Sequence, residues 1–276
     1  RIQGLVRGHQ ERVRLQRIYG ADPVERNRVV TLIQKMFRGY LVRGLRYRDI
    51  KTLGNAIDFG EVTQGRLLTQ ATSDGNRAVT AAGHTGSFQD IMDCFTFQSL
   101  GDATDFGELS LARHSPGACS NGSRGMYAGG EQPTQSPIDP DLIDYITIGT
   151  FCDALDWGGE MTTGRRQSCA ASNGDRGVWM GGYTASPTAY YDTIDYVNIG
   201  ILGMDAIDFG ELTATTNHSG AGSDGSRGVR TGGGTATTPT FDTIDYITIA
   251  TIGDATDFGE LTQSRYGLAA RAPSGD

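Results

Sequence analysis

The chain has 276 residues, 40 of them glycine, with 20% charged side chains and a net charge of −8. That length allows a sizeable core, glycine without a collagen period between β-branched runs points to many short strands and tight turns, and no apolar run is long enough to span a bilayer as a helix. The charge is divided: residues 1–51 hold 13 basic and 4 acidic side chains, a net of +9, and the remainder carries −17, so a basic head that wants an acidic partner precedes an acidic body.

The head, 1–51, reads as helix. Leu5, Val6, Val13, Leu15 and Ile18 are scattered among arginines up to a break at Gly20-Ala21-Asp22-Pro23. Asp22 is a natural N-cap with Pro23 in the first helical position. The spacing then predicts a second helix from about Val24 to Arg46, because Val29, Val30, Ile33, Phe37, Tyr40 and Leu41 recur at three- and four-residue steps. No signal peptide is visible, and the chain begins at Arg1 rather than Met, which leaves room for a lost leader.

Two stretches of the head share one spacing. Ile2-Gln3 is followed by Arg7-Gly8 and Arg12, and Ile33-Gln34, with Phe37, by Arg38-Gly39 and Arg43. Both resemble the IQ motif, and both match it at every defining position. The resemblance implies binding of calmodulin or a calmodulin-like EF-hand protein, often in its calcium-poor state. The physical chemistry is compatible: an apolar stripe offers anchors to a Met-rich groove, the arginines meet an acidic surface, and the glycine permits close approach. The other reading of the same residues is a basic amphipathic pair packed on another protein, a microtubule or a membrane surface. Nucleic acid is disfavoured, since no base-reading or stacking module accompanies the charge.

The body, 52–276, repeats itself. Asp58-Phe59-Gly60-Glu61 recurs as Asp105-Phe106-Gly107-Glu108, Asp156-Trp157-Gly158-Gly159, Asp208-Phe209-Gly210-Glu211 and Asp257-Phe258-Gly259-Glu260, at intervals of 47, 51, 52 and 49 residues. A period near fifty is a repeat architecture. Each unit has four short elements. In the third, Gln167–Ala171 is a strand, Ser172–Gly177 a turn, Val178–Met180 a second strand ended by Gly181-Gly182, Ile194–Ile199 a third and Ala206–Leu212 a fourth. The turn arginine falls at Arg77, Arg124, Arg176 and Arg227, and five residues later comes a small doublet, Ala82-Gly83, Gly129-Gly130, Gly181-Gly182 and Gly232-Gly233. The third strand is apolar on both faces, Ile143 and Tyr145 alternating with Ile146 and Ile148, as suits a strand buried between neighbouring sheets.

This plan resembles the kelch repeat, with its Gly-Gly doublet, third-strand aromatic (Tyr145, Tyr196, Tyr246) and larger fourth-strand aromatic. The wording of the copies is similar to kelch-like repeats of viral and phage structural proteins. The expected fold is therefore mainly β, a kelch-like β-propeller of at least five blades behind an N-terminal α-helical IQ segment, with an open stack or β-solenoid as the alternative. The body opens on a fourth-strand element, Ala56 to Val62, and its last residues, Arg265 to Asp276, read as only a first strand and turn, so the chain is expected to stop within a blade.

Catalytic chemistry is not evident in the repeats. His9, His84, His114 and His218 are isolated in sequence and fit no metal-ligand pattern. One Asp/Glu pair per fifty residues does not make a calcium loop. Cys94, Cys119, Cys152 and Cys169 lack CxxC spacing and read as reduced, small core residues. The turn arginine and the third-strand aspartate (Asp144, Asp195, Asp245) recur together, which predicts a charged hydrogen bond between them within each blade. The expected role is a non-enzymatic adaptor without cofactor or metal. It would bind calmodulin-like chains through the head and other proteins of a large assembly through the propeller, in the cytoplasm on a cytoskeletal or ciliary structure. The alternative is a structural or attachment protein of a large eukaryotic virus, located in the virion; a propeller enzyme of the oxidase or sialidase kind is the remote third reading.

Overall fold

In the computed structural model, residues 58–132 and 138–267 are described. Residues from Phe59 onward form a unit of their own, and each fifty-residue repeat within it makes one antiparallel four-stranded meander. The first sheet comprises β1 (Gln70–Ser73), β2 (Arg77–Ala81), β3 (Ile91–Thr96) and β4 (Thr104–Glu108). The second comprises β5 (Gly117–Ser120), β6 (Arg124–Ala128), β7 (Leu142–Thr147) and β8 (Leu155–Glu160). The third holds β9 (Cys169–Ser172), β10 (Arg176–Ala185), β11 (Thr188–Asn198) and β12 (Ile207–Glu211). The fourth holds β13 (Gly220–Ser223), β14 (Arg227–Thr231), β15 (Phe241–Thr248) and β16 (Thr256–Arg265).

Local chemistry fixes each meander. The first hairpin closes on an Asp or Asn whose side chain accepts two backbone N–H groups. Asp74 Oδ1 takes those of Asn76 and Arg77 at 2.9 and 2.7 Å, and Asn173 Oδ1 those of Asp175 and Arg176 at 3.1 and 2.8 Å. This is the short side chain that a tight turn selects. Between third and fourth strands the register shifts next to the aspartate, at Met92/Asp93, Leu142/Asp144, Ile194/Asp195 and Ile244/Asp245. Such a bulge re-aims a side chain, and these aspartates are fully buried.

The sheets pack in sequence, β1 against β5, β5 against β9 and β9 against β13. First strands are therefore innermost and fourth strands outermost, a four-bladed, propeller-like arrangement. Among the described residues, three apolar clusters fill the three junctions between consecutive sheets. Ile146 and Ile148 join Val79, Met92 and Phe106 on the first-sheet side, while Ile143 and Tyr145 join Trp157, Trp179 and Val197 on the third-sheet side. The two-faced pattern of the third strand is thus realised. Two polar ladders stitch the inner edge. Ser115 N donates to Leu68 O at 2.9 Å, Gln167 N to Ser115 O at 2.9 Å, His218 N to Gln167 O at 3.2 Å and Gly267 N to His218 O at 3.0 Å. Leu68, Ser115, Gln167 and His218 take left-handed φ values of 61, 55, 59 and 52°, an uncommon conformation for non-glycine residues. Below them Ser120 Oγ donates to Ser73 O, Ser172 Oγ to Ser120 O and Ser223 Oγ to Ser172 O.

Candidate interaction surface

What each repeat leaves exposed depends on what its junctions use. The fourth-strand motif is a latch on the following sheet. Gly203 N donates to Trp157 O at 2.9 Å, Ala206 N to Glu160 O at 2.8 Å, and Glu160 N donates in turn to Asp205 Oδ1 at 3.2 Å. The same three bonds recur with Phe209, Glu211, Gly253, Asp254 and Ala255. The motif's glycine is required because the next loop lies on it: a Cβ at Gly107 would sit 2.6 Å from Cys152 O, and one at Gly210 would sit 2.6 Å from Gly253 O. The aromatic beside it is sealed by the same loop, as where Trp157 Nε1 donates to Met204 O at 2.9 Å. The doublet glycines serve the linker. A Cβ at Gly129 would meet Arg165 O at 2.1 Å, and Gly130 N donates to that carbonyl at 3.0 Å.

The buried aspartates do not pair with the turn arginines, which corrects the expectation from sequence. Their partner is an arginine on the linker entering the blade. Arg66 meets Asp93 at 2.7 Å, Arg113 meets Asp144 at 2.8 Å and Arg165 meets Asp195 at 2.7 Å. In the fourth blade the linker position holds Thr216, and the cation comes from Arg230 on β14, paired with Asp245. The turn arginines lie over the third-strand tyrosines instead: Arg124 over Tyr145 at 5.4 Å, Arg176 over Tyr196 at 4.5 Å and Arg227 over Tyr246 at 4.7 Å. Two of them also reach the next sheet, Arg124 Nη1 donating to Ile199 O at 2.7 Å and Arg176 Nη1 to Ile249 O at 3.0 Å.

Two surfaces stand out among the described residues. On the loops between third and fourth strands, Leu100, Phe151, Ile201 with Leu202, and Ile252 are exposed, sheet after sheet. Each stands next to an aspartate of the latch, Asp102, Asp153, Asp205 or Asp254. At the opposite ends of the strands lies an aromatic and charged group. His84 meets His114 edge-on at 5.6 Å and Phe88 stacks on His114 at 4.8 Å. Glu131 Oε2 lies 3.2 Å from His114 Nε2 and pairs with Arg166, whose guanidinium lies 5.0 Å from the Tyr183 ring centre and 3.4 Å from Asp139. Burial, then the charge of Arg166 and His84, lowers the His114 pKa to about 4. His84 and His114, isolated in sequence, are thus neighbours.

Cys94, Cys119 and Cys169 are buried, the Cys169 thiol donating to Met180 O at 3.6 Å, and burial pushes the Cys119 thiol up to about 12. Cys152 is exposed, contrary to its reading as a core residue, because it sits on the loop that covers Gly107. A cavity of about 30 Å³ is lined by Leu68, Ser115, Gln167, His218 and the first strands, room for a water. Among the described residues no group of three or more metal-ligating side chains occurs. The IQ-like residues Ile2, Gln3, Arg7, Gly8, Arg12, Ile33, Gln34, Phe37, Arg38, Gly39 and Arg43 lie outside the described residues. No helix among the described residues is long and apolar enough to cross a membrane. No protein family matches the chain, and no curated protein does.

Proposed function

We propose that this chain is a non-enzymatic adaptor whose propeller-like body offers a repeated docking surface and whose head holds calmodulin-like light chains. The observation that carries the reading is the recurrence of exposed apolar side chains beside a carboxylate on successive loops, from Leu100 to Ile252. Large apolar groups presented in register on a rigid scaffold are what a protein partner buries. The two complete IQ-like matches support the calmodulin part, and the kelch-like plan supports a scaffold role by analogy of fold. A cytoskeletal or ciliary assembly is the setting such a pairing suits.

The full chain, incubated with calmodulin with and without calcium, should retain it on a column, and Ile33→Ala/Gln34→Ala should lose the second site. Retention unchanged by that pair would remove the IQ reading. The similarity of the repeat wording to viral structural repeats favours one second reading, a structural or attachment protein of a large virus. Co-purification with virions rather than cytoskeleton separates the two.

A further inference from the structure

The third strands of the second, third and fourth sheets each hold a tyrosine ring in the same company. The turn arginine lies over it, and its edge meets the fourth-strand aromatic: Tyr145 on Trp157 at 5.7 Å, Tyr196 on Phe209 at 5.8 Å and Tyr246 on Phe258 at 5.8 Å, all near perpendicular. The first sheet has Cys94 in that place. Cys94 pairs with Val79 and Thr104 as Tyr145 pairs with Met126 and Leu155, so the register is kept and only the ring is gone.

The groups that would hold the ring are arranged differently here. Arg77 pairs with Asp74 of its own turn at 3.2 Å, and Phe106 leans on Phe151 at 5.2 Å with 37° between the planes. A pocket of about 160 Å³ lies at this place between the first and second sheets, lined by Arg77, Cys94, Thr104 and Phe151 together with Ser99 and Asp102. An apolar cavity of about 150 Å³ accommodates one benzene ring, so the space suits a single aromatic ring. Arg77 offers a cation to the face of such a ring, Phe151 an aromatic neighbour, and Ser99 and Asp102 hydrogen-bond partners for a hydroxyl. Cation and aromatic are the company that the other three sheets give a tyrosine.

We propose that this pocket takes the tyrosine side chain of a partner protein. The exposed Leu100 stands between Ser99 and Gly101 of the lining, and the exposed Phe151 is itself part of it. An aromatic anchor seated in a pocket beside apolar loops is the usual centre of a protein contact. The choice of a protein's tyrosine over a free phenol rests on the docking role proposed above for those loops; the fit of a ring does not.

The test follows backbone amide NMR shifts of the full chain titrated with N-acetyl-tyrosinamide, p-cresol and N-acetyl-leucinamide. The two phenols should shift the amides of Thr96, Ser99 and Thr104, and the leucine probe should not. Cys94→Tyr fills the space as the other sheets do and should abolish the response. Arg77→Gln leaves the space open and should weaken binding about five-fold. No response at these amides, an equal response to the leucine probe, or a response that survives Cys94→Tyr overturns the pocket. Binding of p-cresol without N-acetyl-tyrosinamide overturns the partner's tyrosine in favour of a free phenol. The probes need no partner, so a negative result removes the tyrosine anchor, while the loop row from Ile201 to Ile252 stands or falls by its own partner binding.

Discussion

Arg165 reaches from the linker behind the second blade to Asp195 in the third, Nη1 to Oδ2 at 2.7 Å, with both side chains fully buried. Thr162 Oγ1 supplies a second bond to Asp195 at 2.6 Å, and Arg165 Nε donates to Gly181 O at 2.8 Å. Removing the cation leaves a buried, unpaired carboxylate, the costly way to break an ion pair. Arg165→Met is therefore expected to destabilise the body by about 3–5 kcal/mol in urea unfolding. Arg176→Leu, which removes a ring contact and one carbonyl bond, should lose only about 1–2 kcal/mol.

The fourth blade offers a sharper form of the same experiment. Its β14 carries Arg230 where the equivalent strand positions hold Thr80, Tyr127 and Trp179, and its linker carries Thr216 where the others hold arginine. Arg230→Tyr alone should cost about 3 kcal/mol. Adding Thr216→Arg restores the linker cation, and the double variant should recover most of the loss. Independent effects of the two substitutions would show that the positions do not serve one aspartate.

These pairs also show where the sequence was readable. The fifty-residue period, the four-element unit, the doublet and the two-faced third strand were legible because each rests on local pattern: Gly129 and Gly181, or Ile143 against Ile146. The partner of Asp144 was not, because a charge pair depends on which neighbouring chain segment crosses the strand. Arg176 recurs at a fixed place in the turn and drew the assignment, while Arg66, Arg113 and Arg165 sit in linkers of uneven wording. Aligning those linkers, and noticing that Arg230 appears where Thr216 breaks the series, was the available signal. The left-handed Leu68, Ser115 and Gln167 carried none, since ordinary residues hold that backbone only through the blade-to-blade ladder.

Tyr127 is buried in the first junction, its hydroxyl donating to Val79 O and accepting from Thr72 Oγ1, each at 2.9 Å. Burial raises its pKa further above the tyrosine range. Tyr127→Phe removes both bonds from a buried site and should cost about 1–3 kcal/mol, read as a lower urea midpoint at unchanged slope.

His114 makes stability pH-dependent. Its pKa falls from 6.5 to about 4 on folding, burial being the first cause, so the unfolded chain binds the proton and the native chain does not between those values. Its contribution is intact above the unfolded pKa and declines as pH falls through that window. With solvent screening at this rim position, the loss should be about 2 kcal/mol. The stability difference between the parent chain and His114→Asn, measured at pH 7 and pH 4.5, should shrink by that amount. A difference independent of pH would contradict it.

Gly210 and Gly259 share a backbone conformation and differ in what lies against them. Alanine at either pays the same strain, roughly 1 kcal/mol. Gly210→Ala also drives a methyl into the Gly253 carbonyl and should lose about 2 kcal/mol more. Comparing the two melting temperatures isolates the loop contact.

Hydrogen exchange on dilute chain tests the stacked-repeat account most directly. The amides of Ala103, Ala154, Ala206 and Ala255 donate to the latch carbonyl of the preceding repeat and should share one slow class. Rapid exchange of these loop amides, or protection confined to individual sheets, would contradict the interlocking of each blade with the next.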